Sequence, residues 1–157
     1  MKMVAVSLAL VVSAFPLSAQ PAPRVAMKLS DAELTELEAI RKAVWVDWFS
    51  GDTASLRKVL GPELVAISAG TPHWQSLDES LAASARFKAE GGKIVSVTFD
   101  SPLTHRFGET VVMFSQYTVI TQVGDQRQTL RGRATEVFVR TSGRWVHTSW
   151  HLDAESS

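Results

Sequence analysis

The sequence TEVFVRTSGRWVHTSWH, from Thr135 to His151, decides the fold class because it has the pattern of two strands joined by a tight turn. Most residues on either side of the turn are β-branched or aromatic, which is typical of strands. Between them, TSG (Thr141 to Gly143) suits a three-residue hairpin whose glycine adopts the left-handed conformation. This stretch therefore predicts an antiparallel hairpin close to the C-terminus.

The chain before this hairpin adds further strands. Two short strands are predicted over 93–99 and 102–107, and a long one over 110–123. The dipeptide Gly124-Asp125 is a two-residue turn signal, which joins the long strand to the next one over 126–140. These segments predict a mostly antiparallel sheet.

The N-terminal half is predicted to be helical around one strand. A capping box, SDAE, begins at Ser30, and another, SLDE, begins at Ser76, so a helix should follow each. A short helix over 53–60 and a strand over 63–68 lie between them. Helices first and an antiparallel sheet afterwards indicate an α+β domain.

The first residues have the pattern of a secretory signal peptide. Lys2 precedes an apolar run from Val4 to Phe15, and small residues suited to cleavage near Ala19 follow. The run is shorter than the about 20 residues that cross a membrane, and the sequence has no second such run. We therefore expect a signal peptide over 1–19, a flexible lead-in over 20–28, and a mature chain that is periplasmic or secreted.

The composition excludes several classes of function. The sequence contains no cysteine, so disulfides, thiolate metal sites and cysteine nucleophiles are excluded. Sixteen basic and sixteen acidic residues balance without long runs of like charge, which argues against nucleic acid or a membrane surface as partner. Phosphate-loop, serine-nucleophile and zinc-protease motifs are also missing, so we expect no cofactor and no metal.

Three stretches resemble the nuclear transport factor 2-like superfamily, in particular its SnoaL-like and kinase-association-domain branches. They are WFSGD (48–52), FGETVV (107–112) and the hairpin at 135–151. The resemblance covers roughly 29–153, which we take as one domain, and leaves 154–157 as a tail. It implies a cone-shaped, cystatin-like α+β fold in which three N-terminal helices pack on a curved, mostly antiparallel sheet around a pocket, usually in a dimer.

Strand alternation assigns the histidines of the last strand to a face. Pairing the last three strands through their turns places Glu136 on the more apolar face, which we expect to point toward the helices. His147 and His151 are then predicted on the outer face, roughly 13 Å apart along the strand, too far to chelate a metal together. Trp145 and Phe114 are predicted on the same outer face and, with Val137, favour a homodimer interface there.

Glu136 and Tyr117 are the candidate catalytic residues. A carboxylate among apolar neighbours would have a raised pKa suited to acid-base chemistry. The alternatives for Glu136 are a structural ion pair with Arg41, which lies on the inward arc of the first helix, and direct contact with a ligand. Tyr117 could donate a hydrogen bond to Glu136 or to a ligand, or it could be an ordinary core tyrosine.

Aromatic residues are the main candidates for ligand contact. Trp45, Trp48 and Trp150 could line an aromatic pocket or belong to a plain core, and the loop residues His73 and Trp74 could border its mouth. The full set of candidate ligand-binding residues is Arg41, Trp45, Trp48, His73, Trp74, Thr148 and Trp150.

The favoured function is binding of a small, largely apolar molecule. In the kinase association domain, pocket arginines occupy the positions that hold Glu136, Tyr117 and Leu152 here, so the resemblance implies a neutral or cationic ligand unless Arg41 serves a carboxylate. One alternative is a cofactor-independent lyase or isomerase of the ketosteroid isomerase or polyketide cyclase type that uses Glu136. Another is an interaction module whose cone is filled by its own side chains.

Overall fold

The computed structural model describes residues 28–155. The predicted signal peptide, the lead-in up to residue 27 and the end of the predicted tail lie outside this range and stay predictions. The helices are α1 (Asp31–Ser50), α2 (Thr53–Val59) and α3 (Leu77–Ala89), and the strands are β1 (Leu60–Ile67), β2 (Gly92–Phe107), β3 (Thr110–Val123), β4 (Gln126–Thr141) and β5 (Arg144–Leu152).

The five strands form one sheet in the order β1-β5-β4-β3-β2. β1 runs parallel to β5, and every other pair of neighbours is antiparallel. Residues of all three helices pack with β1 and β5 in one apolar cluster, so the helices cover one face of the sheet. The predicted α+β fold with a curved, mostly antiparallel sheet is confirmed.

α1 begins and ends close to the predicted positions because both of its ends are capped. The Ser30 hydroxyl accepts a hydrogen bond from the Glu33 amide, and the Glu33 carboxylate accepts one from the Ser30 amide, as in the predicted capping box. At the other end Gly51 has a φ of 72°, a left-handed conformation that favours glycine. Between these caps, one side of α1 buries Leu37 and Trp45.

The segment predicted as two short strands, 93–99 and 102–107, forms the single strand β2. Its pairing with β3 shifts register between Asp100 and Leu103, where Ser101 has a φ of 50°. This irregularity is a β-bulge, which bends a strand without ending it. The prediction of two separate strands was therefore wrong.

The turn between β4 and β5 is also shorter than predicted. Thr141 pairs directly with Arg144, which leaves two turn residues instead of three. Both have positive φ, 51° at Ser142 and 78° at Gly143. Two such residues form the turn whose twist matches that of the flanking strands.

β5 contains a β-bulge that the sequence analysis did not predict. Val137 pairs with Ser149 and Phe138 pairs with His147, so Thr148 is an extra residue without a partner of its own. The side chains after the bulge follow the predicted alternation. Those before it have changed faces, because one added residue exchanges inward and outward positions.

The bulge makes part of the predicted face assignment wrong. Trp145 and His147, predicted on the outer face, are buried inside, with 3% and 1% of their surface exposed. Val146 and Thr148, predicted inside, are only partly buried and lie against the start of β1. The physical reason is that Trp145 and Trp150 stand an odd number of residues apart, so a regular strand would bury only one of them.

The remaining face assignments are confirmed. Glu136 points toward the helices and is fully buried, whereas His151 is exposed on the outer face. His147 and His151 therefore lie on opposite faces. Among residues 28–155, the structure contains no group of three His, Asp or Glu side chains that could hold a metal ion.

The outer face differs from the prediction in one residue of its apolar patch. Trp145 belongs to the core, so it cannot join Phe114 and Val137 on the outside. The structure instead exposes Leu103, Phe107 and Phe114 on this face, with 56%, 49% and 37% of their surface accessible. We call these three residues the outer patch.

The core between helices and sheet has two halves. The closed half is filled with tightly buried side chains, which are Leu37, Val111, Met113, Phe138 and Trp145. The open half surrounds a cavity and includes Trp45, Tyr117 and Val119. No helix in the described part of the chain is long and apolar enough to cross a membrane.

A polar layer separates the two halves. It consists of Arg41, Glu136 and His147, all at most 3% exposed. Along α1, Arg41 stands between Leu37 of the closed half and Trp45 of the open half. Along β4, Glu136 stands between Phe138 of the closed half and the residues of the open half. The layer therefore crosses the core where close packing gives way to the cavity.

Candidate functional site

The cavity of the open half has a volume of about 190 Å³. Its walls come from α1, from the end of β1 and the residues after it, and from the inner faces of β3, β4 and β5. The lining residues are Val44, Trp45, Trp48, Phe49, Ser68, Ala69, Tyr117, Val119, Leu130, His147, Trp150 and Leu152. Most of these side chains are apolar or aromatic, so the cavity favours an apolar occupant.

The three tryptophans of the cavity present apolar rings because other groups occupy their N–H donors. Trp45 Nε1 donates to Glu136 Oε1 at 3.0 Å, and Trp48 Nε1 donates to the Ser80 hydroxyl at 3.1 Å. Trp150 Nε1 donates to the hydroxyl of Ser68, the residue just after β1, at 3.4 Å. These bonds fix the rings and leave mainly their carbon surface to the cavity.

Glu136 lies behind the cavity wall rather than in it. Its side chain is fully buried, and Arg41 Nη1 stands 3.8 Å from Oε2. Burial raises the pKa of Glu136 to about 7, while the Trp45 hydrogen bond and the Arg41 charge act in the opposite direction. This geometry matches the structural ion pair that the sequence left open as an alternative.

Arg41 is held by several weak contacts inside the polar layer. Its Nη1 donates to the Ser115 hydroxyl at 3.3 Å, and its guanidinium lies 4.0 Å from the centre of the Phe99 ring. Burial lowers its pKa, and the neighbouring Glu136 opposes that shift. Arg41 is not among the lining residues, so it presents no cation to the cavity.

Tyr117 lines the cavity, but its hydroxyl is engaged elsewhere. It donates a 2.7 Å hydrogen bond to the backbone carbonyl of Asp153, just after β5. Gly132 permits this arrangement, because a Cβ there would lie 1.9 Å from the same carbonyl oxygen. Burial raises the pKa of Tyr117 to about 12, so the hydroxyl stays protonated. It does not contact Glu136, contrary to one of the predicted roles.

The structure brings together only some of the predicted ligand-binding residues. Trp45, Trp48 and Trp150 line one cavity. Arg41 lies behind its wall, and Thr148 occupies the bulge, where its hydroxyl donates to the Val137 carbonyl at 3.3 Å. His73 and Trp74 are exposed and lie outside the lining, with 69% of Trp74 accessible.

His147 is the site residue that sequence reasoning missed. It lines the cavity, and its Nε2 lies 3.9 Å from Glu136 Oε1, so the polar layer reaches the cavity through this ring. A signal was present, because a strand that buries both Trp145 and Trp150 needs a bulge between them, and a bulge there turns His147 inward.

The solved structures most useful for comparison share this fold at low sequence identity. A proposed Ca/calmodulin-dependent kinase II association domain from Exiguobacterium sibiricum superposes with a TM-score of 0.69 at 13% identity, covering 83% of this chain and 98% of that one. A proposed dehydratase of the NTF2-like family from Streptomyces avermitilis gives 0.67 at 18%, covering 81% and 99%. A Nostoc punctiforme protein of unknown function with a cystatin-like fold gives 0.66 at 11%, covering 83% and 97%.

The fold and the family comparison place the chain in the nuclear transport factor 2-like superfamily, as the resemblance predicted. The sequence model of the SnoaL-like domain matches residues 37–153, and the chain therefore belongs to the SnoaL-like family. No curated protein sequence matches it significantly. At identities below 20%, the structural neighbours establish the fold alone.

Proposed function

We propose that this chain is an exported SnoaL-like domain that binds a small, largely apolar molecule in its open half. The observation that carries the proposal is the cavity of about 190 Å³ walled by aromatic rings whose donors are already bonded. A cone used only for protein contacts could be filled throughout, as the closed half is. The open half is instead shaped like a binding site.

The electrostatics of the site favour a ligand without charge. Arg41 and Glu136 face each other behind the wall, so neither presents a free charge to the cavity. A carboxylate or an ammonium group would lose its hydration there without gaining a counter-ion. The ligand class is therefore a neutral, mostly hydrocarbon molecule.

The alternative of a lyase or isomerase is not favoured by this arrangement. A general acid or base must come within hydrogen-bond reach of its substrate. Glu136 is separated from the cavity by the residues that line it, and the Tyr117 hydroxyl is bonded to a backbone carbonyl. Both side chains act as structural supports of the site.

Naphthalene is a suitable probe for the proposal, because it is neutral, rigid and purely apolar. Calorimetric titration of the chain with naphthalene should show saturable binding at one site per protomer. Leu130→Trp adds a ring at the cavity wall and should weaken this binding at least about tenfold, since it occupies space the ligand needs. Naphthalene that binds the variant as well as the original chain would contradict the proposal.

A matched control is available on the other face of the sheet. Leu103→Trp makes the same chemical change in the outer patch, where the side chain is 56% exposed. This variant should bind naphthalene with unchanged affinity. Equal weakening in both variants would indicate a general loss of structure rather than a filled cavity.

Export is a separate part of the proposal. It is supported by the apolar run and small residues at the N-terminus, which lie outside the described residues. N-terminal sequencing of the protein exported by its host should find a mature chain that begins near Gln20. Recovery of full-length chain from the cytoplasm alone would refute export.

We also propose that the outer sheet face forms a homodimer. The outer patch remains apolar without Trp145, and His105 adds aromatic contacts to Phe107 and Phe114. Sedimentation at micromolar concentration should show a dimer, and Phe114→Arg should convert it to a monomer by burying a charge in the interface. A monomeric parent chain would overturn this part of the proposal.

A further inference from the structure

Among the cavity-lining residues, His147 has buried side-chain nitrogens without a hydrogen-bond partner in the described part of the chain. Both ring nitrogens are buried, and neither forms a hydrogen bond with any atom of residues 28–155. Buried polar groups are almost always paired, because an unpaired one forfeits the hydrogen bonds it had with water. An unpaired ring in a cavity wall therefore points to a partner other than residues 28–155, and a bound ligand is the one the cavity can supply.

The ring is held in place without using its nitrogens. It stacks on Phe138 with a centroid distance of 4.4 Å and an interplanar angle of 13°, and Trp150 packs against it at 5.5 Å. These two aromatic contacts restrict the orientation of the imidazole. The fixed ring holds both nitrogens at defined but buried positions, so a hydrogen bond to either one requires a ligand group that enters the wall at His147 rather than one that rests on its surface.

The neighbouring charged groups do not satisfy the ring. Nε2 lies 3.9 Å from Glu136 Oε1, which is beyond hydrogen-bond distance, and that oxygen already accepts from Trp45. Burial lowers the pKa of His147 to about 3, although a backbone contact with Ser149, too poorly aligned to satisfy the ring, acts in the opposite direction, so the imidazole is neutral near pH 7. A neutral imidazole has one N–H donor and one acceptor nitrogen.

We propose that His147 is a binding residue that anchors a hydroxyl group of the ligand at the boundary between the cavity and the polar layer. This inference rests on the proposed function and narrows the ligand to a neutral, mostly apolar molecule that carries a hydroxyl. A hydroxyl both donates and accepts, so it pairs with His147 whichever nitrogen bears the proton. A carbonyl only accepts and pairs with only one of the two nitrogens.

Charged groups fit this position less well. A carboxylate near His147 would also lie near the Glu136 carboxylate, and an ammonium group would lie near the Arg41 guanidinium. Each would be repelled by one member of the ion pair and attracted by the other, so neither would gain a free counter-ion to offset its lost hydration. The geometry thus selects against both kinds of ion and in favour of an alcohol or phenol.

Three ligands with one carbon skeleton test the inference near neutral pH, where 2-naphthol is not ionised. Binding of naphthalene, 2-naphthol and 2-naphthoate is measured by calorimetry. The naphthol should bind about five- to tenfold more tightly than naphthalene, which is the gain expected from one hydrogen bond to a buried, unpaired group. Naphthoate should bind more weakly than either.

His147→Phe provides the control, because phenylalanine keeps the ring and its stacking while removing both nitrogens. The variant should bind naphthalene with little change and lose the preference for naphthol. A preference that persists in the variant overturns the proposal, and so does a naphthol that binds no better than naphthalene. Tightest binding of naphthoate would also overturn it, because that result would indicate an accessible cation.

A measurement on the unaltered chain keeps the inference testable if the variant does not fold. Nitrogen NMR of the imidazole rings should show that 2-naphthol shifts the His147 resonances more than naphthalene does, while the exposed His151 stays unchanged. Equal shifts with the two ligands would overturn the hydroxyl contact. If neither molecule binds at all, the failure lies with the proposed function itself, whereas naphthalene binding without a naphthol preference fails the inference alone.

Discussion

The closed and open halves of the core are built from the same elements but differ in how they use them. In the closed half, Met113 and Phe138 are fully buried and packed against α1. In the open half, the same two strands contribute Tyr117, Val119 and Leu130 to the wall of a cavity. One alternating strand pattern therefore supports either a filled core or a binding space, depending on what faces it.

The polar layer explains how both arrangements coexist. Arg41 and Glu136 neutralise each other where the two halves meet, and Trp45 ties the pair to the cavity wall through its indole N–H. Charged groups inside a core are stable only when paired, so this layer holds α1 and β4 in one relative position. The cavity is therefore bordered on one side by a fixed structure.

The largest predicted effect is the influence of the polar layer on how the unfolding free energy depends on pH. The pKa of His147 is lowered from 6.5 to about 3. Its stabilising contribution to the unfolding free energy is therefore present above pH about 6.5 and is lost as the pH falls through about 3. The pKa of Glu136 is raised from 4.5 to about 7. Its stabilising contribution to the unfolding free energy is therefore present below pH about 4.5 and is lost as the pH rises through about 7.

The variant His147→Phe separates the effect of His147 titration on stability from the opposing effect of Glu136 titration. The unfolding free energy of the original chain should fall relative to that of the variant as the pH decreases from about 6.5 toward 3, by up to roughly 5 kcal/mol. Urea unfolding of both proteins across this range is the measurement. Parallel pH curves would show that His147 is not buried as a neutral ring.

Breaking the ion pair should be nearly as costly. At a pH above about 7, where Glu136 is ionised, the nearly isosteric change Glu136→Gln leaves the Arg41 cation buried without a counter-ion, so it should lower the unfolding free energy by about 3 to 5 kcal/mol. The double variant Arg41→Met with Glu136→Gln removes both charges and should recover much of that loss. Additive losses in the double variant would contradict the pairing.

Truncation of side chains should distinguish the two halves directly. Met113→Ala removes a fully buried side chain from the closed half and should cost about 2 to 5 kcal/mol, because it leaves a void among packed neighbours. Leu130→Ala, in the cavity wall, should cost about 1 kcal/mol or less. Equal losses in urea unfolding would mean that the open half is packed as tightly as the closed half.

The attachment of the C-terminal segment should give smaller effects than breaking the ion pair. Gly132→Ala forces the backbone at Asp153 to move and should cost about 1 to 3 kcal/mol. Tyr117→Phe removes only the hydrogen bond to that carbonyl and should cost about 1 kcal/mol. Thermal unfolding of the two variants checks this order, and a larger loss from Tyr117→Phe would reverse it.

The fold was predictable because its signals are local. Capping residues such as Ser30 begin helices, glycines such as Gly124 mark turns, and strand alternation places Glu136 inside. The position of His147 was not predictable in the same way, because it depends on one extra residue in β5. A bulge is selected by tertiary packing, here by the burial of Trp145 together with Trp150, and local patterns record it only indirectly.

The cavity itself could not be predicted from the sequence either. Residues of the closed and open halves have the same apolar character, so the sequence alone does not show which half is filled. Trp45 and Trp48 therefore read equally well as core or as pocket wall. Their hydrogen bonds to Glu136 and Ser80 become visible only once the chain is folded.

A crystal structure of the protein grown with 2-naphthol tests the central claim most directly. Our account predicts electron density for the ring system in the open half, between Trp45, Trp48 and Trp150, with the hydroxyl within hydrogen-bond distance of His147. Density confined to the outer patch, or an open half closed by movement of its own side chains, would contradict the claim that this half is a binding site.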